Sequence, residues 1–519
     1  MIINVNDFCK SENASLGIEK AIAACSAGDT LSFPKGDCHF YREYSPSETI
    51  HMTNTDSFRF PDKHFAMLLK NKSNLTIDGG GAVFNIHGDM CALGLLNCKN
   101  ITLKNFTVRY PSPSNIEFKV CEASGNSVIY QLSASEFKTD GKSITFFEKS
   151  PFSNTEYFSF TGNQMTDCWV CHDDDEVYRV WNQNSPLSRV KTINRLTDNI
   201  IEIKYYFKPD LKRGAVYTIS PNHSRHTSGI FFSGSSNIKS ENITVNYLAG
   251  FGWLSQMCEN LSFDGIRFQP AAGHSVSSFA DGIHICGCKG RVTIKNCLFS
   301  HLHDDGINIH GAFLRTKKTL NVNTAVFEFV HNQQGGYEPF FAGDKVKFYN
   351  RKDLSLIGEN AVKSVQNDIN NKCVTLEFEE PLPPLKVGMS VIENVSYNPE
   401  VVISDCAFKA IPTRGILCTT DKRAEIFNNS FEHIQMACIY ISCDCKEWYE
   451  SGPCRNVEIH NNTFYNKDYA LCVEPIALDR VHEGVHQNIR FYSNALADTS
   501  KAVKATGVKN LLNNENREL

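Results

Sequence analysis

At 519 residues the chain is long enough for several ordinary domains or one long repeat array. Apolar residues make up 41% and charged residues 21%, a folded composition. With 52 basic and 57 acidic residues the net charge is -5, which gives no reason to expect a nucleic-acid or anionic-membrane partner, and no stretch approaches the ~20 apolar residues of a membrane span. From the N-terminus, Ile2–Val5 reads as a strand, Gly17–Cys25 as a short amphipathic helix and Thr30–Pro34 as a strand. Together they suit a cap over the end of an apolar core. The cap starts at Met1 with no basic-then-apolar leader, so the fold is expected to be complete as written, in a cytoplasmic chain or a trimmed secreted one.

The chain then repeats itself. Segments starting at Asn100, Asn260, Val292, Val401, Ala424 and Val457 each hold an alternating strand, a bend at Asn, Asp or Gly, and a short strand ending in an aromatic. The bend residues tolerate a left-handed turn. A second strand family is centred on Gly229, Gly252, Gly282, Gly306, Gly415 and Cys438, stepping by 23, 30, 24, 109 and 23 residues. A step near 23 is one coil of a solenoid, and the step of 109 is one coil plus an insertion of roughly 85 residues. The expected fold is therefore all-β: a right-handed parallel β-helix interrupted by inserted β-barrel-like subdomains. The expected division is cap and first coils 1–110, an inserted β-subdomain 111–222, coils 223–313, a barrel-like insertion 314–397 and C-terminal coils 398–519.

Twenty cysteines suggest a disulfide framework, but that belongs to short chains without a core. Cys297, Cys406, Cys438 and Cys472 lie in apolar, strand-like runs, so the thiols are expected to be mostly reduced and buried. The C-x-C pairs Cys286/Cys288 and Cys443/Cys445 lack the spacing of a zinc ribbon.

Asp281 and Asp305 hold the same place in coils one step apart. Adjacent strands lie about 4.8 Å apart, which makes the two carboxylates neighbours. Asp304 has the opposite strand parity, and Arg414 is next in the column. A single Asp-Gly pair reads as a corner. Two stacked pairs with a third acid beside them repel one another, so a functional reading is favoured. Ile283 and Ile285 should face inward, which would draw Asp281 in unpaired at high cost. Gly282 and Gly306 are therefore expected to break the parity and turn both aspartates outward. Hydrolysis of an acetal needs an acid on the leaving oxygen and a base on water. A lone carboxyl and a stacked pair can supply both roles, and the sequence leaves open which does which.

The strings Ala280-Asp281-Gly-Ile283 and His303-Asp304-Asp305-Gly-Ile307 resemble the N-T-D and D-D elements of family 28 polygalacturonases. A closer resemblance is to family 110 glycoside hydrolases, the α-1,3-galactosidases. It rests on Asp281-Gly-Ile-His284, on His303-Asp-Asp-Gly-Ile-Asn-Ile-His310-Gly311, on Trp448-Tyr-Glu-Ser-Gly-Pro453 and on the interrupting β-subdomains. That resemblance implies exo-acting, inverting release of terminal α-1,3-linked galactose from blood-group-B-type or linear glycans. It implies Asp304 as general acid, Asp281 and Asp305 as holders and activators of the water, and no metal or organic cofactor.

Around the aspartates, His284, Asn308 and His310 have outward parity and are candidates for bonding sugar hydroxyls, or else are ordinary surface residues of a solenoid. Arg414 either binds substrate or neutralises Asp305. Trp448 lies on a polar loop and is expected to stack on a sugar, with Glu450 beside it on a hydroxyl; Trp253 suits packing. The insertion leaving the chain beside Asp305 is expected to wall off one end of the groove, which fits removal of a terminal sugar. Alternatives are an endo-hydrolase or lyase of an acidic polysaccharide, disfavoured by a column with few basic residues besides Arg414, and a non-catalytic glycan-binding β-helix. Sheet edges and insertions both offer surfaces for a homo-oligomer.

Overall fold

The computed structural model describes residues 1–134, 136–163, 168–173, 176–179, 185–221, 225–466, 468–497 and 501–519. The expected boundary at 222/223 lies outside these residues. The chain is a right-handed parallel β-helix. One column of strands carries the second repeat family: Cys91–Leu96, Ile230–Ser233, Trp253–Gln256, Ile283–Cys286, Ile307–Thr319, Ile416–Cys418 and Ile439–Ile441 pair in parallel, each with the next. The register stacks Ile283 on Ile307 and Ile307 on Ile416.

The bends behave as the repeat requires. Asn105, Asn242, Asn296, Asp405, Asn428 and Asn461 all have φ between 52° and 61°, a conformation these short polar side chains tolerate. The aromatic that ends each repeat faces inward and stacks on its neighbour: Phe299 on Phe408 at 5.0 Å, Phe408 on Phe431 at 4.8 Å and Phe431 on Phe464 at 5.0 Å. Beside the bends, buried Asn429, Asn462 and Asn494 form an amide ladder with 3.0 and 3.1 Å links, so these polar side chains are satisfied within the core. At the N-terminus, helix Ile18–Ala24 turns Ile18, Ala21 and Ile22 onto the end of this core.

Two sets of antiparallel strands leave the helix. Strands between Ile116 and Ile219 form a seven-stranded sheet with its own apolar core, accompanied by a three-stranded sheet. The second set closes on itself. Ile307–Thr319, Thr324–Glu328, Cys373–Phe378, Leu356–Asp368, Lys345–Asn350 and Ser390–Asn394 pair around a ring that returns to its first strand. Ile307–Thr319 thus belongs to the β-helix in its first half and to the barrel in its second. Residues Asp304 and Asp305 sit immediately before this shared strand. Among the described residues the cysteines are free, and most are buried.

Candidate active site

The three aspartates meet at the floor of a pocket of about 590 Å³. An oxygen of each carboxylate lies within 4.8 Å of the others. Asp281 and Asp305 are 3% and 2% exposed, while Asp304 is the more open of the three. Gly282 and Gly306 do allow the close stacking, but not through an unusual φ. A Cβ on Gly282 would meet Gly306 O at 2.5 Å and the Phe299 ring at 2.8 Å; one on Gly306 would meet Gly415 O at 2.4 Å and the Phe408 ring at 2.9 Å. The glycines let successive coils and the phenylalanine stack approach at this corner.

Each carboxylate has a different partner. Asp305 accepts both arms of the Arg414 guanidinium at 2.8 Å and the Arg414 backbone N–H at 3.2 Å. Asp304 accepts from Arg225 Nη2 at 2.7 Å and pairs with Arg179 Nη2 at 3.0 Å. Asp281 Oδ2 lies 2.7 Å from His284 Nδ1. Burial opposes the charge on Asp304, but Arg179, Arg225 and Arg414 outweigh it and hold the carboxyl down at about 2. Burial, together with Asp304 and Asp305, pushes Asp281 well above the ordinary carboxylate range. The site therefore holds two of its acids on arginines and leaves the third, Asp281, where burial and its neighbours favour the protonated form. Three convergent oxygens are also a candidate cation site, but the guanidinium groups on Asp304 and Asp305 already supply positive charge there.

Residues 324–388 match the family described as GLAA-B beta-barrel domain II. The alpha-1,3-galactosidase A of Bacteroides thetaiotaomicron is 31% identical over 518 residues, covering 96% of this chain and 88% of that relative. This chain belongs to glycoside hydrolase family 110. The alpha-1,3-galactosidase A of Streptomyces avermitilis is 32% identical over 493 residues, covering 89% of this chain and 78% of that relative. Among solved structures, a family 28 exopolygalacturonase of Yersinia enterocolitica aligns over 98% of this chain and 66% of that one, at TM-score 0.39 and 11% identity.

In this family 110 chain the other expected residues divide. Asn308, Arg414, Trp448 and Glu450 line the pocket. The buried Oδ1 of Asn308 has no partner among the described residues and can accept from a ligand hydroxyl. Trp448 is 37% exposed, with its ring 4.2 Å from that of His331. Its loop is held by Asp444, whose carboxylate accepts from the backbone N–H groups of Lys446, Glu447 and Trp448 at 2.7 to 2.8 Å. Trp253 is fully buried against Phe232 and Phe263.

One alternative is corrected: His284, Asn308 and His310 are all buried, so none is an ordinary surface residue of the solenoid. His284 lines the pocket with Asn308, while His310 lies outside the lining. Strand parity turned the two histidines away from the solenoid core, but Phe251 packs on His284 and Glu450 lies 3.5 Å from His310. Besides Arg414, Arg179 and Arg225 reach Asp304 from segments outside the column. Neither lies in a repeat, and only the tertiary fold brings them to Asp304. Asn54 and Gln333 join the lining in the same way.

Proposed function

We propose that the protein is an inverting exo-glycosidase that removes terminal α-1,3-linked galactose from blood-group-B-type or linear glycans. The observation that carries this reading is the pocket itself. The three carboxylates lie at its floor, and its walls come from Arg179 of the first insertion, Gln333 of the second and the loop bearing Trp448 and Glu450. A walled pocket suits a chain end, where an open β-helix groove would suit the interior of a polymer. The names of the relatives supply the sugar and the linkage.

In this reading Asp304, the most open carboxyl, is the general acid on the leaving oxygen, and Asp281 with Asp305 holds and activates the water. The arginines keep Asp304 charged in the free protein, so it takes up its proton only when bound sugar shields it from them. Catalytic hydrogen bonds commonly rearrange in this way between free and occupied sites. Water is favoured over a carboxylate as the attacking group because the oxygens of Asp304 and Asp305 are already engaged by guanidinium donors.

One observation favours a second reading. Two-carboxylate retaining sites hold their groups about 5–5.5 Å apart and inverting ones about 6.5–9.5 Å apart. Here one oxygen of each carboxylate lies within 4.8 Å of one oxygen of each of the others, nearer the retaining spacing than the inverting one. Retention would make one aspartate a nucleophile.

Incubation with an α-1,3-galactosyl-capped oligosaccharide should release galactose as the only monosaccharide, with the chain shortened by one unit. Oligosaccharide ladders or an ultraviolet-absorbing unsaturated product would contradict the exo-hydrolase reading. Asp304→Asn should lose about 10²-fold or more on this oligosaccharide while keeping turnover of α-galactosyl fluoride, whose leaving group needs no proton. Equal loss on both would remove Asp304 from the acid role.

A further inference from the structure

Behind Asp281 runs a hydrogen-bonded line that the reaction as described does not use. Asp281 Oδ2 lies 2.7 Å from His284 Nδ1. His284 Nε2 lies 2.8 Å from His310 Nε2, and His310 Nδ1 lies 2.6 Å from the carbonyl oxygen of Gly311. The carbonyl can only accept, so His310 Nδ1 carries a proton. With His310 neutral, its Nε2 must then accept, and His284 Nε2–H must donate to it. That leaves His284 Nδ1 without a proton, so Asp281 is the donor in the first bond. The carbonyl of Gly311 thereby fixes both tautomers and the protonation of an aspartate three links away.

A second arrangement uses the same number of protons. The Asp281 O–H bond breaks as His284 Nδ1–H forms, and the His284 Nε2–H bond breaks as His310 Nε2–H forms. The result is an Asp281 carboxylate and a His310 imidazolium, with net charge unchanged. Glu450 Oε1 lies 3.5 Å from the nitrogen that receives the proton, and Glu450 lines the pocket.

We propose that His284 and His310 form a buried proton relay that converts Asp281 from a carboxylic acid into the base that activates water, with Glu450 as counter-charge and outlet to the pocket. This rests on the reading of Asp281 as a base. His284 and His310 are positioning residues, since neither is the group that meets the reacting atoms. The groups facing the line are Asp304, Asp305 and Arg225 around His284 and Glu450 beside His310, with Arg414 next to Glu450. Burial holds His284 at about 3 against the opposing field of Asp305 and lowers His310 against that of Glu450, so both rings rest neutral. The positive charge that the transfer places on His310 faces Glu450 at 3.5 Å.

The tautomers can be read without catalysis. Nitrogen-15 spectra of histidine-labelled wild-type protein, assigned with His284→Gln and His310→Gln, should show His284 protonated at Nε2 and His310 at Nδ1. His284 protonated at Nδ1 with a neutral His310 would overturn the relay. Kinetically, His310→Gln should lower kcat about 10²-fold at neutral pH, the lower end of what a general base contributes. KM should stay within about twofold, and the acidic limb of the kcat profile should move upward. A wild-type profile in a folded His310→Gln would also overturn the relay. Asp281→Asn tests the base reading alone: wild-type turnover there would remove the base, whatever the tautomers show.

Discussion

Arg414 grips Asp305 with two parallel 2.8 Å hydrogen bonds across 109 residues of sequence. The barrel-forming segment fills most of that interval, yet the two residues occupy neighbouring coils of one column. Asp305 is almost fully buried, so the guanidinium is its main compensation. Arg414→Met leaves that charge unpaired and should destabilise the protein by about 3–5 kcal/mol, with activity lost. Arg414→Lys keeps the charge but not the fork and should fall between the two. Thermal melts with parallel kinetics check both; a melting temperature unchanged in Arg414→Met would mean that the pair is not a structural one.

The glycine corner makes a second expectation. Gly306→Ala forces a methyl against Gly415 O and the Phe408 ring, so backbone must shift. The cost should be about 1–3 kcal/mol, as for overpacking elsewhere. Because Asp305 is the adjacent residue, kcat should fall with stability. Gly343→Ala is a fair comparison for backbone effects, since its Cβ would meet nothing within 4 Å although its φ is +90°. It should leave kcat unchanged.

Trp448 should act on binding. It lines the pocket, its ring backed by that of His331. Trp448→Ala should raise KM for an α-1,3-linked disaccharide several-fold with little change in kcat, the pattern of lost uniform binding. A fall in kcat at constant KM would instead tie the indole to the chemical step.

Stability should depend on pH through Glu148, at the junction of the first insertion with the β-helix. Burial, with Asp89 nearby, raises its carboxyl from 4.5 to about 8. The folded state therefore binds this proton more tightly than the unfolded state. The stabilisation is complete below about pH 4.5 and is lost as pH rises through about 8. Glu148→Gln removes the dependence, so the melting temperature of the variant relative to wild type should rise between pH 5 and pH 9. A constant difference would place the titration elsewhere.

Much of this architecture was legible because a solenoid writes its period into the chain. The left-handed bends at Asn105, Asn242 and Asn296 and the stacked Phe299, Phe408 and Phe431 follow from one repeated local pattern. The column of Asp281, Asp305 and Arg414 follows from the same count. Arg179 and Arg225 were not legible, because no local rule links an insertion strand or a turn outside the repeat to a distant corner. The burial of the histidines was not legible for a different reason. Parity reports which side of a strand a residue faces, and it correctly turned His284 and His310 away from the coil core. It does not report what is packed on that side, and Phe251 and the strand carrying Glu450 cover them. Gly282 and Gly306 were expected to turn the aspartates outward; close contact between coils, which the sequence did not show, also requires them.

The most direct test of the account is proton NMR of the sugar first released from an α-1,3-linked galactoside, recorded before mutarotation. The three-aspartate arrangement with water as the attacking group predicts β-galactose as the first product. α-Galactose appearing first would contradict it and make one of Asp281, Asp304 or Asp305 a covalent nucleophile.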